Sequence, residues 1–366
     1  MGIGSRRIMG IGLPLLQTLT IPQFRAVVAH EFGHFYGGDT KLAPWIYKTR
    51  QSIIRTVMGL GDSWLQFLFR GYAKMFLRVT QGISRNQEFV ADRLAARIAG
   101  SRPSVDGLRT IAGAAPAFGA FMQNEVAPTV HAGYRPPLVD GFSLFLSEPS
   151  VAQAIQRTVE HELDAPETSP YDTHPSLKER IAAVESLPPG EGASDSSPAL
   201  SLVQNVPELE RALFTQLVGS EQAAGLKPVD WQNAPAKVWL PFWGKTLRDY
   251  AAALKGVTAA SLPDFLHSPG ELTAQIQRSA GRLLTADSQA VAAAHITAMA
   301  LAVALAGQGW SLDTSPGAQV SLQKDENRIE PFVTVARLAS GELPANAWQA
   351  LCDQLGIAGL PLAAAG

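Results

Sequence analysis

The chain has 366 residues, enough at roughly 150 residues per domain for two domains and a core that needs no covalent staples. Its single cysteine, Cys352, excludes an internal disulfide and a metal site built on several thiolates. With 30 basic and 32 acidic residues the net charge is −2, so the chain lacks the basic excess that a phosphate backbone demands, which argues against nucleic acid as a partner.

Charged residues make up only 17% of the sequence against 46% apolar, a balance that makes a membrane neighbour an expectation from the outset. Any metal must be held by the seven histidines and the carboxylates.

From the amino terminus, Met1 to Arg7 and the apolar run Ile8 to Ile21 imitate a signal peptide. Gly10, Gly12, Pro14 and Gln17 interrupt that run, and no small-residue cleavage site follows it. The segment reads instead as extended chain, with Ile8 to Leu16 expected as an edge strand. Pro22 to Tyr36 follows with helical periodicity and stops at Gly37 and Gly38. Between Ile53 and Val79 the charges at Arg55, Asp62, Arg70, Lys74 and Arg78 leave no uncharged run near the ~20 residues that a spanning helix needs. Arg70, Lys74 and Arg78 recur every four residues, a basic stripe on an amphipathic helix that either faces solvent over the core or touches a bilayer. Ser84 to Ala99 is a further helix, ended by Gly100.

The Pro/Gly/Ser cluster from Leu187 to Pro198 can neither continue a helix nor bury apolar area, so it is read as a linker over 188–198, between a domain 1–187 and a domain 199–366. Beyond it, Leu200 to Val218 and Pro241 to Leu254 read as helices. The uncharged, alanine-rich Val291 to Trp310 reads as a buried core helix rather than a span. Two short strands are expected around Pro316–Gly317, with a third near Ile329 to Val335, and Cys352 is expected in the core of a last helix.

The chemistry lies in His30-Glu31-Phe32-Gly33-His34, an HExxH motif inside the first long helix. Imidazoles four residues apart project from adjacent turns of one face, so His30 and His34 can share a tetrahedral zinc ion while Glu31 lies beside the attacking water. A catalytic zinc wants a third ligand. Gly37 fits the extended motif of the metzincins, but Thr40 stands where their third histidine would be. The remaining solution is a glutamate from a second helix, and Ser84-Arg-Asn-Gln-Glu88-Phe-Val-Ala-Asp92 offers it. Glu88 would ligate. Asp92, one turn on, would hold the far nitrogen of a ligand histidine.

Gly12-Leu-Pro-Leu-Leu, then His30-Glu-Phe-Gly-His-Phe-Tyr-Gly-Gly-Asp39, Ser84-Arg-x-x-Glu-Phe-x-Ala-Asp92 and Thr173-His-Pro-Ser-Leu-Lys-Glu-Arg180 together resemble the zinc metallopeptidases of the CAAX prenyl protease and HtpX-type family. The resemblance spans about Ile8 to Val184. It implies one zinc ion on His30, His34 and Glu88, with Glu31 as general base and His174 and Arg180 as partners of the oxyanion or the substrate carbonyl. It further implies a protein or peptide substrate, met in membrane-associated processing or quality control, and an inner-membrane location for the full-length protein. Relatives carry membrane helices ahead of these motifs, whereas about twenty residues precede the motif helix here, so the chain is expected to be either a truncated product or a fragment of a longer membrane protein. The fold class expected is mainly α (α+β): a helical zincin-like metalloprotease domain with a short edge sheet, then a helical C-terminal domain with a small β-meander. A non-catalytic zinc-binding adaptor or interaction protein with an incomplete protease cleft is the competing reading.

Overall fold

The computed structural model of the chain describes residues 8–36, 64–165, 174–189, 195–281 and 283–363, and within these all side chains except those of 35–36 and 64–81. Its helices, in chain order, are Leu13–Thr18 (α1), Ile21–Tyr36 (α2), Trp64–Ala99 (α3), Ser101–Phe121 (α4), Ala127–His131 (α5), Leu138–Ser147 (α6), Pro149–Asp164 (α7) and Leu177–Glu185 (α8). They continue with Val206–Val218 (α9), Ser220–Gly225 (α10), Leu240–Arg248 (α11), Leu262–His267 (α12), Gly270–Ser279 (α13), Ala286–Gly307 (α14), Pro331–Ala339 (α15) and Ala345–Leu355 (α16). The chain is mainly helical with small sheets, as its periodicities imply.

It divides into two compact units, Met1–Ala120 with Pro149–Ala212, and Phe121–Glu148 with Leu213–Gly366. This interleaving differs from the single cut expected at 188–198, and each crossing has a physical cause. After the linker, Ala199 N–H donates to Leu19 O (2.8 Å) and Ile21 N–H donates to Ser197 O (2.9 Å), so the chain pairs with the junction of α1 and α2. Ala199 then packs with Leu16 and Leu19 in a buried cluster of the first unit. Phe121, Phe142, Phe145 and Trp231 form an aromatic cluster that ties 121–148 into the second unit.

In the first unit α2 begins at a reciprocal cap: Thr20 N–H donates to Gln23 Oε1 (3.0 Å) and Gln23 N–H to Thr20 Oγ1 (3.5 Å), satisfying donors that the first turn leaves open. Small residues then let α2 and α3 meet closely. Ala26, Ala29, Ala95 and Ala99 form one buried cluster, and a Cβ placed on Gly33 would stand 2.7 Å from Ala91 Cα. The long α3 ends at Gly100, whose φ of +97° reverses the chain into α4. α8 starts at a capping box of Ser176 and Glu179, and its Ile181 and Val184 pack on Ala96 and Val105.

In the second unit α14, whose one charged residue is Asp287 in its first turn, is the core helix. Leu301 and Leu305 are fully buried, and Thr285 caps its first turn by accepting from Ser288 N–H. By length and composition α14 could cross a membrane, yet half of its apolar window (50%) is buried in its own unit. Three antiparallel strands follow, Ser311–Asp313, Ser321–Lys324 and Asn327–Ile329, and a two-residue parallel pair joins Tyr134–Arg135 to Lys227–Pro228. Trp348 Nε1–H donates to Ala259 O (2.7 Å), and Cys352 is buried beside it in the same core.

Several local expectations give way. Ile8 to Leu16 is not an edge strand: Gly12 is extended and Pro14 sits in the first turn of α1, where its missing N–H costs nothing, so Leu13–Thr18 coils. Pro331 likewise opens α15 where a longer third strand was expected, and left-handed Asn205 separates a 3₁₀ turn, Ala199–Leu202, from α9. The side chains of Arg70, Lys74 and Arg78, and residues 37–40 and Thr173, lie outside the described residues.

Replacing Gly33 with Ala is expected to force α2 and α3 apart and to lower the stability of the first unit by about 1–3 kcal/mol, read as a lower urea midpoint. An unchanged midpoint would show that the helices can relax without cost.

Candidate metal centre

Two elements carry the motif residues to one place. On α2, His30 and His34 stand one turn apart with ring centroids 4.7 Å apart. The close crossing at Gly33 and Ala91 brings Glu88 of α3, which is buried, to the same face. His30 Nε2 lies 3.1 Å from His34 Nε2 and 3.5 Å from Glu88 Oε2, and His34 Nε2 lies 3.8 Å from Glu88 Oε1. A tetrahedral ion with bonds of ~2.0–2.1 Å needs ligand atoms ~3.3 Å apart, and the histidine nitrogens lie close to that spacing while each approaches a different oxygen of Glu88. One ligand atom from each residue lies within 4.8 Å of the others.

Around this group the partners are specific. His30 Nδ1–H donates to Asp92 Oδ1 (2.9 Å), which turns Nε2 toward Glu88 and His34 and selects the tautomer a ligand needs. Asp92 in turn accepts two bonds from Arg180, Nε to Oδ2 at 2.8 Å and Nη2 to Oδ1 at 2.6 Å. That bidentate fork engages Nε and Nη2 of Arg180 with Asp92, on the Nδ1 side of His30. His174 Nδ1 lies 3.0 Å from Glu88 Oε1, and its side chain is 67% exposed. Glu31 is exposed, and with His30, Asp92 and Arg180 it borders a cavity of about 350 Å³.

Electrostatics follow from these contacts. Burial by itself would pull the His30 pKa down, but hydrogen bonds to Asp92 and then Glu88 outweigh it and raise the pKa to about 9. Burial would push Glu88 up, yet the His30 hydrogen bond and the Arg180 charge hold it down to about 2. Asp92 is lowered against its own burial by the hydrogen bonds from Arg180 and His30. Two buried carboxylates therefore face one guanidinium and one imidazole, and in the metal-free chain the second positive charge is the proton that His30 holds. A cation between His30, His34 and Glu88 would take the place of that proton, so the donor set suits a divalent metal in chemistry.

The motifs reach every residue above but not the far wall of the cavity. Ser104, Leu108 and Ile111 of α4 line it. Their i, i+4, i+7 spacing marks one helix face, the one signal in the sequence that could have found them.

In chelator-treated protein, stability depends on pH through Glu88 and His30. Glu88, depressed from 4.5 to about 2, contributes stability above pH 4.5 that is lost as the pH falls toward 2. His30, raised from 6.5 to about 9, contributes stability below pH 6.5 that is lost as the pH rises through 9. Urea midpoints are expected to peak between pH 4.5 and 6.5, and a profile still rising toward pH 9 would contradict the charge assignment. Arg180→Ala is expected to weaken metal binding roughly 10–100-fold by releasing Asp92, measured by competition with a chromophoric chelator.

Comparison with known proteins matches residues 1–187 to Peptidase family M48. No curated protein and no solved structure matches the chain. With just over half of its length covered by that match, and with a cluster that could hold a metal on the motif residues, the chain belongs to peptidase family M48, the metallopeptidases that include the CAAX prenyl and HtpX-type proteases.

Proposed function

We propose that the chain is a zinc-dependent metalloendopeptidase that hydrolyses peptide bonds of protein substrates. The observation that carries this reading is the approach of His30, His34 and Glu88 to spacings a tetrahedral ion requires. Two imidazoles and a carboxylate form a donor set typical of hydrolytic zinc, which keeps a fourth position open.

Bound zinc supplies a Lewis acid that acidifies a water and polarises the scissile carbonyl. The chain's own groups do the rest. Glu31, exposed one residue after the first ligand, takes a proton from the attacking water and delivers it to the leaving amine nitrogen. Asp92 holds His30 through Nδ1, so the ring cannot rotate away from its ligand orientation. Arg180, engaged through two nitrogens, is a positioning residue acting through Asp92. His174, largely exposed beside Glu88, is the side chain available to donate a hydrogen bond to the oxyanion. Members of the family are often membrane-associated. We extend that setting to this chain, with substrates presented near a membrane surface for processing or quality control.

Glu31→Gln is expected to keep one zinc per chain while casein cleavage falls by roughly 10²–10⁴-fold, and cleavage at the wild-type rate would sink the mechanism. Glu88→Ala is expected to lose bound zinc, measured by metal analysis of the purified chain. Unchanged stoichiometry would show that another residue is the third ligand.

A further inference from the structure

One turn of the second unit meets a carboxylate from a helix distant in sequence. α4 runs into α5 through a single π-helical turn, Met122–Val126, in which Ala127 N–H donates to Met122 O, five residues back. Pro128 follows and has no N–H to return to Asn124, so a proline placed here favours the wider turn. Thr129, fully buried, satisfies the Glu125 carbonyl by donating from Oγ1–H (2.7 Å). The Glu125 side chain is half-buried, and its Oε1 accepts from Gly317 N–H (3.1 Å).

Gly317 lies in the connection between the strands Ser311–Asp313 and Ser321–Lys324. Ala318 N–H donates to Ser315 O (2.9 Å) across Pro316 and a left-handed Gly317 (φ +79°), the pattern of a type II turn. The turn's own bond does not use the Gly317 N–H, which goes to the carboxylate. Pro316 beside it is buried, so the turn is seated at both of its central residues.

Burial favours the neutral Glu125 carboxyl and the Gly317 N–H favours the ionised one. Burial prevails and raises the pKa above the ordinary 4.5. The charged and titratable groups on the neighbouring elements are His131 of α5, Asp140 of α6, Lys237 ahead of α11, and Asp313 and Lys324 of the two strands. All are exposed, and among the described residues burial and the Gly317 N–H are what act on the carboxyl. We propose that Glu125 is a proton-sensitive latch on this hairpin: protonated, it stays seated and holds the Ser315–Ala318 turn against the π-turn, and ionised it is drawn toward water and lets the turn go. The latch draws on no residue of the metal centre. The stability it contributes is complete below pH 4.5 and is lost as the pH rises through the raised value.

Hydrogen exchange of the Gly317 amide in the full chain, corrected for the intrinsic rate at each pH, reads the latch directly. Its protection is expected to fall at least roughly threefold between pH 4.5 and about pH 8. Glu125→Gln keeps an acceptor oxygen that does not ionise, and its protection is expected to stay level over the same range. Glu125→Ala removes the acceptor and is expected to lose roughly tenfold in protection at the acidic end. Level protection in the wild-type chain overturns the latch, as does a fall of equal size in folded Glu125→Gln protein. Undiminished protection in Glu125→Ala protein overturns it too, since the turn is then held without the carboxylate. Should neither variant fold, carbon NMR of the wild-type Glu125 carboxyl keeps the proposal testable. That carboxyl is expected to titrate above 4.5 together with the loss of protection, and titration at or below that value overturns the latch.

Discussion

The site depends on how closely two helices can cross. α2 carries both histidines and α3 the glutamate, and side chains of ordinary size between them would hold the three ligands beyond the reach of a single ion. Gly33, the third residue of the HExxH motif counted from Glu31, removes that obstacle by letting Ala91 sit against the backbone of α2. Alanines above the crossing extend the contact. The spacer residues of the motif are therefore not passive, since one of them sets the distance between the elements that hold the ligands.

Charge imposes the second constraint. Glu88 and Asp92 are buried, and buried carboxylates are tolerated only with partners. Arg180 supplies one from α8, and His30 stands between the two acids. The network is costly to assemble and costly to break at any single member, so its benefit lies in orientation rather than stability. It fixes which nitrogen of His30 faces the ligand group, a choice that free imidazole makes only weakly.

Much of this was legible in the sequence because helical geometry is local. HExxH sets two candidate ligands on one face by spacing alone, and Glu88 with Asp92 repeats the logic one turn apart. The apolar, uncharged run that became α14 was equally plain as a core helix. What stayed hidden depends on long-range choices. Ile8 to Leu16 has the composition of a strand, but a strand needs a partner edge, and a proline in the first turn tipped the segment into α1. Arg180 could have faced either side of His30, and only the packing of α8 on α3 directs it to Asp92. The aromatic cluster that gives 121–148 to the second unit joins residues about a hundred positions apart, beyond any window of periodicity.

The pairing of Ser197 and Ala199 with Leu19 and Ile21 separates two notions of a domain. The stretch shared with the peptidase family ends at residue 187, yet Ala199, fully buried against Leu16 and Leu19, lies past that end. A protein cut at 187 would retain every candidate ligand and the proposed general base while exposing the apolar floor beneath the start of the motif helix. The stretch matched to the family is thus shorter than the folding unit, and residues beyond it close the structure that carries the candidate site.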